Sequence, residues 1–398
     1  MSKIRFEDIR GFSVAAVKAG LKASGKDDLG LIIADIPAAS AGVFTRNAIT
    51  AAPVKLCRHH LAATGGRCRA VLVNAGCANA CTGQEGWQNA IRCAAEVGRL
   101  LGAQRKEVLV CSTGVIGKQL PMAKILPAVA AAVRCAGKGR PGAFARAIMT
   151  TDLVPKEAGV RVSSLGASLA GVCKGSGMIA PNMATMLAFI LTDADIAPPA
   201  LQAALGAAAT DTFNCVTVDG DTSTNDTALA LASAAAGRRI SRPAGRAYRL
   251  FAGALREICA SLAEQIARDG EGATKLVRVR VIGGRTADDA RRAARAIAES
   301  PLVKTAIYGC DPNWGRILAA AGRSGAAVAE SKTSVRLCGR HIFRRGRPTF
   351  ANSAALSQAM RRKEVALEVD LGLGRGECEM LTCDLSYGYI RINAEYHT

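Results

Sequence analysis

The sequence has few aromatic residues, few histidines and no long apolar run. Phe, Trp and Tyr make up 4% of the 398 residues, and there are 4 histidines. No apolar run approaches the ~18 residues that a membrane-spanning helix requires. The N-terminal MSKIRFEDIRGFSVAAVKAG lacks the basic-then-apolar pattern of a signal peptide. We therefore expect a cytoplasmic protein without a membrane association or a targeting segment.

The scarcity of histidine narrows the types of nucleophile that the chain could use. No Ser-His-Asp triad is evident, and the G-x-S-x-G elbow is missing from the sequence. His59 and His60 are adjacent, and we interpret both as exposed residues at the edge of a helix. The composition favours a nucleophile that carries its own base.

The cysteines do not indicate disulfides or a metal site. Six of the 14 cysteines lie among Ala, Val, Leu and Ile, where a thiol serves as a small apolar side chain. Cys77 and Cys81 are four residues apart, but no nearby His or Cys pair completes a zinc set. We therefore predict free thiols in a reducing compartment and no bound metal.

The formal net charge of +20 raises the question of an acidic partner. Much of the excess lies in the stretches 237–249 and 339–348. Neither has the interleaved aromatic residues of a single-strand stacking platform, so arginines on solvated faces account for most of the charge. We expect no nucleic acid, although a basic nucleic-acid-binding protein remains a competing interpretation.

The length and the change of pattern near residue 275 suggest more than one domain. A long helix is predicted over 248–270, and the alternating KLVRVRVIGG that follows is typical of a half-buried strand. PLVKTAIYG (301–309) is predicted as another strand, and INAEYHT (392–398) as the end of a strand. We place a catalytic core at 1–275 and a smaller α+β C-terminal domain at 276–398.

The most informative segment is KGSGMIAPNMATML, from Lys174 to Leu187. It has a lysine at the start of a glycine-rich loop and a threonine, Thr185, after the small residue Ala184. Cleavage before Thr185 would free an α-amino group, whose pKa of about 7.7–8.0 suits a general base. The glycines also match a dinucleotide-binding loop, but the short segment with Pro181 cannot supply the crossover helix that such a fold needs.

A second segment, CSTGVIGKQLP, carries Thr113 and Gly114 at the point where a strand opens into a glycine loop. A hydroxyl and a backbone N–H at such a point could form an oxyanion hole. An ordinary strand-end turn is the alternative, and the segment by itself favours the turn.

Two further segments contain clustered acidic residues. NCVTVDGDTSTNDT (214–227) is not an EF-hand, because Thr224 and Ala230 stand where that loop needs Gly and Glu. We interpret it as a self-hydrogen-bonded turn before a helix. In RDGEGATK, Glu271 follows a helix end, where it could bind a ligand ammonium or belong to a solvated turn.

Together these segments resemble the ornithine acetyltransferases, also called bifunctional glutamate N-acetyltransferases. The match extends along the whole chain and is specific because nine motifs occur in order. They are GFSVAAVKAGLK, NAGCANACTG, STGVIG, MTTDLVPK, KGSGMIAPNMATMLAF, TVDGDTSTNDT, RDGEGATK, DPNWGRI and RINAEYHT.

The resemblance implies an α/β fold with sheets layered between helices, as in self-processing ornithine acetyltransferases and aminopeptidases. It implies self-cleavage between Ala184 and Thr185, giving an α chain of 1–184 and a β chain of 185–398. Thr185 would be the nucleophile, and Thr113 and Gly114 the oxyanion hole. The substrate-binding positions that the resemblance implies are Thr151, Lys174, Thr185, Glu271, Asn393 and Thr398.

The implied reaction transfers acetyl from N2-acetylornithine to glutamate through acetyl-Thr185, with ornithine and N-acetylglutamate as products. It needs no cofactor or metal, and the resemblance leaves open whether acetyl-coenzyme A is a second donor. An α2β2 assembly is the family's usual form. The chain departs from the family pattern at Ala75, Cys77, Ala180 and Cys310. A self-processing aminopeptidase or amidase, or a paralogous acetyltransferase of specialised metabolism, therefore stays open as an alternative.

Overall fold

The computed structural model describes residues 4–180, 186–349 and 353–395, so Ala184, Thr185 and Thr398 lie outside the described residues. The chain forms two compact units. One comprises residues 1–214 and 221–262, and the other comprises residues 215–220 and 263–397.

An eight-stranded sheet forms the first unit. Its strands are β1 (Phe12–Val17), β2 (Leu29–Phe44), β3 (Arg67–Cys77), β4 (Val108–Val115), β5 (Lys156–Val162), β6 (Ala167–Lys174), β7 (Leu187–Ile196) and β8 (Thr227–Ile240). The order is β4-β3-β2-β8-β7-β6-β5, and β1 also pairs with β2. The β3–β4 and β7–β8 pairs are parallel. Sequence-distant strand ends are therefore brought to the same edge of the sheet.

Both faces of this sheet are buried. Ile32 and Val71 belong to one hydrophobic cluster, whereas their strand neighbours Leu31 and Leu72 belong to another. Neighbouring strand residues point to opposite faces, so the sheet is covered on both sides. The helices of the unit are α1 (Ala52–Ala63), α2 (Gly83–Leu101), α3 (Met122–Cys135), α4 (Ala143–Ala147), α5 (Pro198–Asp211) and α6 (Gly245–Arg268). The predicted layered α/β class is confirmed.

The interpretation of both adjacent histidines as exposed is wrong for His60, which is buried on α1, while His59 is exposed. His60 follows Leu56 by one helical turn and therefore shares its inward face. Its Nδ1 lies 2.7 Å from the Val108 carbonyl oxygen, and burial lowers the pKa of its imidazole.

The second unit contains a six-stranded sheet flanked by short helices. Its strands are β9 (Leu276–Gly284), β10 (Ser334–Leu337), β11 (Arg340–Arg344), β12 (Arg347–Pro348), β13 (Glu364–Asp370) and β14 (Gly376–Cys383), in the order β12-β11-β10-β13-β9-β14. Its helices are α7 (Ala287–Ala298), α8 (Pro301–Tyr308), α9 (Trp314–Gly322), α10 (Ser353–Met360) and α11 (Tyr387–Glu395).

Two segments predicted as strand are helical. Residues 301–309 contribute α8, because the Ser300 hydroxyl accepts a hydrogen bond from the Val303 amide and Pro301 occupies the first turn. Val303 and Ile307, which favoured the strand prediction, are buried one turn apart on this helix. The C-terminal segment predicted as a strand end is helical through Glu395.

All 14 cysteines lie among the described residues and are free thiols. Five of the six that were predicted as apolar fillers are buried, and Cys135 is half-buried. Within the described ranges, no helix is long and apolar enough to cross a membrane. In the same ranges, no group of three or more His, Cys, Asp or Glu side chains could hold a metal ion.

Candidate active site

The carboxyl ends of β4 and β6 bring together two residues that are 61 positions apart. Lys174, the last residue of β6, donates from Nζ to the Thr113 Oγ1 at 3.4 Å. Lys174 is only 8% exposed, so its ammonium group is largely withdrawn from water. The structure thus places a predicted carboxylate-binding lysine beside a predicted oxyanion donor.

Gly114 is required by a close backbone approach between β3 and β4. Its φ is +128°, and a Cβ there would lie 2.4 Å from the carbonyl carbon of Gly76 and 2.6 Å from the amide nitrogen of Cys77. Any side chain would therefore push the two strands apart, since real Cβ contacts are not this short. The glycine lets Thr113 and its following amide lie at the strand end.

A buried hydrogen-bond network supports the backbone next to Thr113. Asn225 donates from Nδ2 to the carbonyl oxygens of Ser112, at 2.9 Å, and Ala78, at 2.6 Å. The Ser112 hydroxyl donates to Asn74 Oδ1 at 2.6 Å. Since buried polar groups that are fully paired restrict backbone motion, this network holds the strand end in one arrangement. The turn interpretation of 214–227 missed this long-range role of Asn225.

The same loop holds the described residues on both sides of the expected cleavage junction. The Thr222 hydroxyl donates to the Ala180 carbonyl at 2.8 Å, and the Thr227 amide donates to the Met186 carbonyl at 2.9 Å. Leu187, two positions after Thr185 in the sequence, pairs with Lys174 across β6 and β7. The junction itself, Ala184 and Thr185, lies outside the described residues.

Asp152 connects the segment that contains Thr151 to the loop that follows Lys174. Its Oδ2 accepts from the Thr150 amide at 3.0 Å, and its Oδ1 accepts from the Gly175 amide at 2.7 Å. Thr151 is half-buried between the two residues of the first contact. The MTTD motif was recognised in the sequence, but no pattern indicated that its aspartate reaches a second strand end.

Three lysines surround this carboxylate. Lys156 donates from Nζ to Asp152 Oδ1 at 2.7 Å, and both side chains are fully buried. Burial alone would raise the pKa of Asp152, but the charges of Lys174 and Lys156 lower it to about 2. Burial lowers the pKa of Lys22 to about 8, although Asp28 and Asp152 oppose the shift. The surroundings are basic on balance and suited to an anionic ligand group.

In the second unit, the structure brings together Glu271 and Asn393. Asn393 donates from Nδ2 to Glu271 Oε2 at 2.9 Å and also contacts the Tyr389 carbonyl oxygen at 3.1 Å. Glu271 is 8% exposed. Gly272 has a φ of +67°, and a Cβ there would lie 2.2 Å from the Tyr389 amide nitrogen, so glycine is needed where the turn meets α11. Thr398, the remaining predicted binding residue, lies outside the described residues.

Comparisons with known proteins agree with the motifs. The family model described as the ArgJ family matches residues 13–398. The arginine biosynthesis bifunctional protein ArgJ of Chlorobaculum tepidum is 48% identical over 390 residues, covering 98% of this chain and 96% of the relative. The crystal structure of the arginine biosynthesis bifunctional protein ArgJ from Bacillus halodurans is 41% identical, with a TM-score of 0.50, covering 51% of this chain and 96% of that chain.

A crystal structure of an ornithine acetyltransferase complexed with ornithine from Mycobacterium tuberculosis is 44% identical, with a TM-score of 0.43, covering 45% of this chain and 95% of that chain. The family model covers far more than half of the chain, and the identity to the Chlorobaculum tepidum relative extends over nearly its full length. The resemblance found in the sequence is thus confirmed, and the chain belongs to the ArgJ family.

Proposed function

We propose that this chain is a glutamate N-acetyltransferase of arginine biosynthesis that moves acetyl from N2-acetylornithine to glutamate through acetyl-Thr185. The observation that carries the proposal is the 3.4 Å contact between Thr113 Oγ1 and Lys174 Nζ. It joins a hydroxyl that can donate to an oxyanion with an ammonium that can pair with a carboxylate. Both lie at the sheet end from which the chain continues toward Thr185.

Self-cleavage between Ala184 and Thr185 is the first step of the proposed activity. It would leave an α chain of 1–184 and a β chain that begins with the nucleophile. The Bacillus halodurans chain supports this step, because it is matched along 96% of its length yet covers 51% of this chain. The freed α-amino group would act as the general base, with a pKa of about 7.7–8.0.

The transfer would proceed by two attacks on the acetyl carbonyl. Thr185 Oγ attacks acetylornithine while its own α-amino group takes the hydroxyl proton. The Thr113 hydroxyl and the Gly114 amide donate to the oxyanion, ornithine leaves with the proton, and an acetyl ester remains on Thr185. The amino group of glutamate then attacks the ester, and the threonine hydroxyl is regenerated. The residues supply both steps without a cofactor or metal.

Recognition of the amino-acid substrates would use both charge types. Lys174, with Thr151, would bind the α-carboxylate that acetylornithine and glutamate share. Glu271, held by Asn393 at 2.9 Å, would pair with the distal ammonium of ornithine. Thr398 is also proposed as a binding residue. We further propose a cytoplasmic α2β2 assembly of the two chains. Acetyl-coenzyme A as a second acetyl donor would require its own assay.

The proposal is tested by mass spectrometry and kinetics on the purified protein. We expect two chains, with the smaller one ending at Ala184. Acetylornithine without glutamate should leave the β chain about 42 Da heavier, as expected for an acetyl-enzyme. Initial-rate plots at several glutamate levels should be parallel. Intersecting plots without an acetylated β chain would remove the covalent role of Thr185, and release of acetate in place of transfer would indicate an amidase.

A further inference from the structure

A fully buried ion pair lies behind the proposed substrate residues. Lys156 Nζ and Asp152 Oδ1 are 2.7 Å apart, and both side chains are 0% exposed. The pair follows from the β5–β6 hairpin, in which Lys156 is opposite Cys173. That register brings the end of the preceding segment beside Lys174 and the loop after it.

The two oxygens of Asp152 are used for different parts of the backbone. Oδ2 accepts from the Thr150 amide at 3.0 Å, and Oδ1 accepts from the Gly175 amide at 2.7 Å as well as from Lys156. The first bond restrains the chain immediately before Thr151. The second restrains the chain immediately after Lys174.

These contacts are stronger than those of an ordinary turn, because hydrogen bonds to an ionised acceptor exceed neutral ones. Asp152 is also buried, so water cannot replace the carboxylate as an acceptor without opening the fold. One side chain therefore sets the distance between two backbone segments that local sequence does not connect.

We propose that Asp152 is a positioning residue for substrate binding, which holds the Thr151 and Lys174 segments together through the Thr150 and Gly175 amides. The inference rests on the proposed function, because it concerns the residues that would bind the α-carboxylate. Lys156 neutralises and orients the carboxylate from the side away from those amides. Loss of the carboxylate should therefore weaken substrate binding more than it slows chemistry.

The test compares the processed wild-type protein with Asp152→Asn and with the double variant Asp152→Asn/Lys156→Met. The double variant removes both buried charges together, since an unpaired buried lysine would by itself destabilise the fold. We expect the KM for acetylornithine to rise about tenfold or more, the scale for one lost charged hydrogen bond, with kcat changed by less than about threefold. Hydrogen exchange in segments 149–152 and 173–177 should accelerate.

Asp193→Asn is the matched control. Asp193 is 2% exposed and likewise accepts from a backbone amide, that of Ser168 at 2.7 Å, and from Arg10 at 2.9 Å. A general loss of stability would affect this variant equally, but its KM should stay near the wild-type value.

If the asparagine variants do not fold, Asp152→Glu carries the test. It keeps the charge for Lys156 but moves the acceptor oxygens by one methylene, so the KM should still rise several-fold. A folded variant with an unchanged KM and unchanged exchange would overturn the inference alone. A wild-type protein without acetyl transfer would refute the proposed function, and this inference with it.

Discussion

Replacement of Thr113 by valine is the sharpest test of the reaction centre. The substitution keeps the β-branched shape on β4 and removes Oγ1, the atom 3.4 Å from Lys174 Nζ. If the hydroxyl donates to the oxyanion, kcat should fall by roughly a hundredfold to a thousandfold, the measured scale for one such donor. Cleavage at Ala184–Thr185 should also slow if it uses the same donor.

The expected cost to stability is much smaller. Thr113 is half-buried, and the hydroxyl contact seen here is a long one. Loss of one hydrogen bond of this kind costs about 0.5–1.5 kcal/mol of folding free energy. A hundredfold drop in kcat corresponds to about 2.7 kcal/mol in the barrier. The two quantities are therefore separable by measuring the urea midpoint alongside turnover.

Thr192→Val provides the control in the same sheet. Its hydroxyl donates to the Ser168 carbonyl at 2.9 Å, and the residue is 1% exposed. This variant should lose stability to a similar or greater extent while its kcat stays near the wild-type value. A processed Thr113→Val enzyme with kcat within about threefold of wild type would refute the oxyanion role and leave the STG segment as an ordinary turn.

Three more outcomes follow from the site. Thr185→Ala should give an uncut, inactive protein, whereas Thr185→Ser should be cut and retain some transfer; full activity in the alanine variant, by the acetyl-transfer assay, would move the nucleophile elsewhere. Glu271→Gln should raise the KM for acetylornithine more than that for glutamate, and equal changes would argue against ammonium recognition. Because Asp152 has its pKa lowered to about 2 in the folded state, the stability it contributes, about 2 kcal/mol, should be complete above about pH 4 and lost as the pH falls toward 2. Urea midpoints between pH 5 and pH 3 should thus fall less steeply for Asp152→Asn/Lys156→Met, and equal slopes would contradict the pKa.

Local patterns predicted several elements well. The amphipathic helix before Gly102 is present as α2, and Gly102 has the left-handed conformation that ends it. The alternating KLVRVRVIGG forms β9, and the long helix near 248–270 is α6, Gly245–Arg268. These elements were predictable because periodicity and capping residues act over a few neighbouring positions.

The strand prediction for 301–309 shows where local patterns fail. Val303, Thr305 and Ile307 are β-branched and favour a strand. The Ser300 cap and Pro301 favour a helix start, and packing of Val303 and Ile307 into the unit's core selects the helix. Propensities of fractions of a kcal/mol are outweighed when burial of whole side chains depends on the choice.

The sequence by itself determined the family, the candidate residues of the reaction and the glycine loops at strand ends, because these are properties of residue type and order. Tertiary structure decided which of them meet. Thr113 contacts Lys174 because β4 and β6 end on the same sheet, and Asp152 reaches Gly175 because the β5–β6 hairpin sets its register. Asn225 holds the Ser112 carbonyl from a loop 113 residues away. Such contacts depend on strand order and on closure of long loops, which no local pattern encodes.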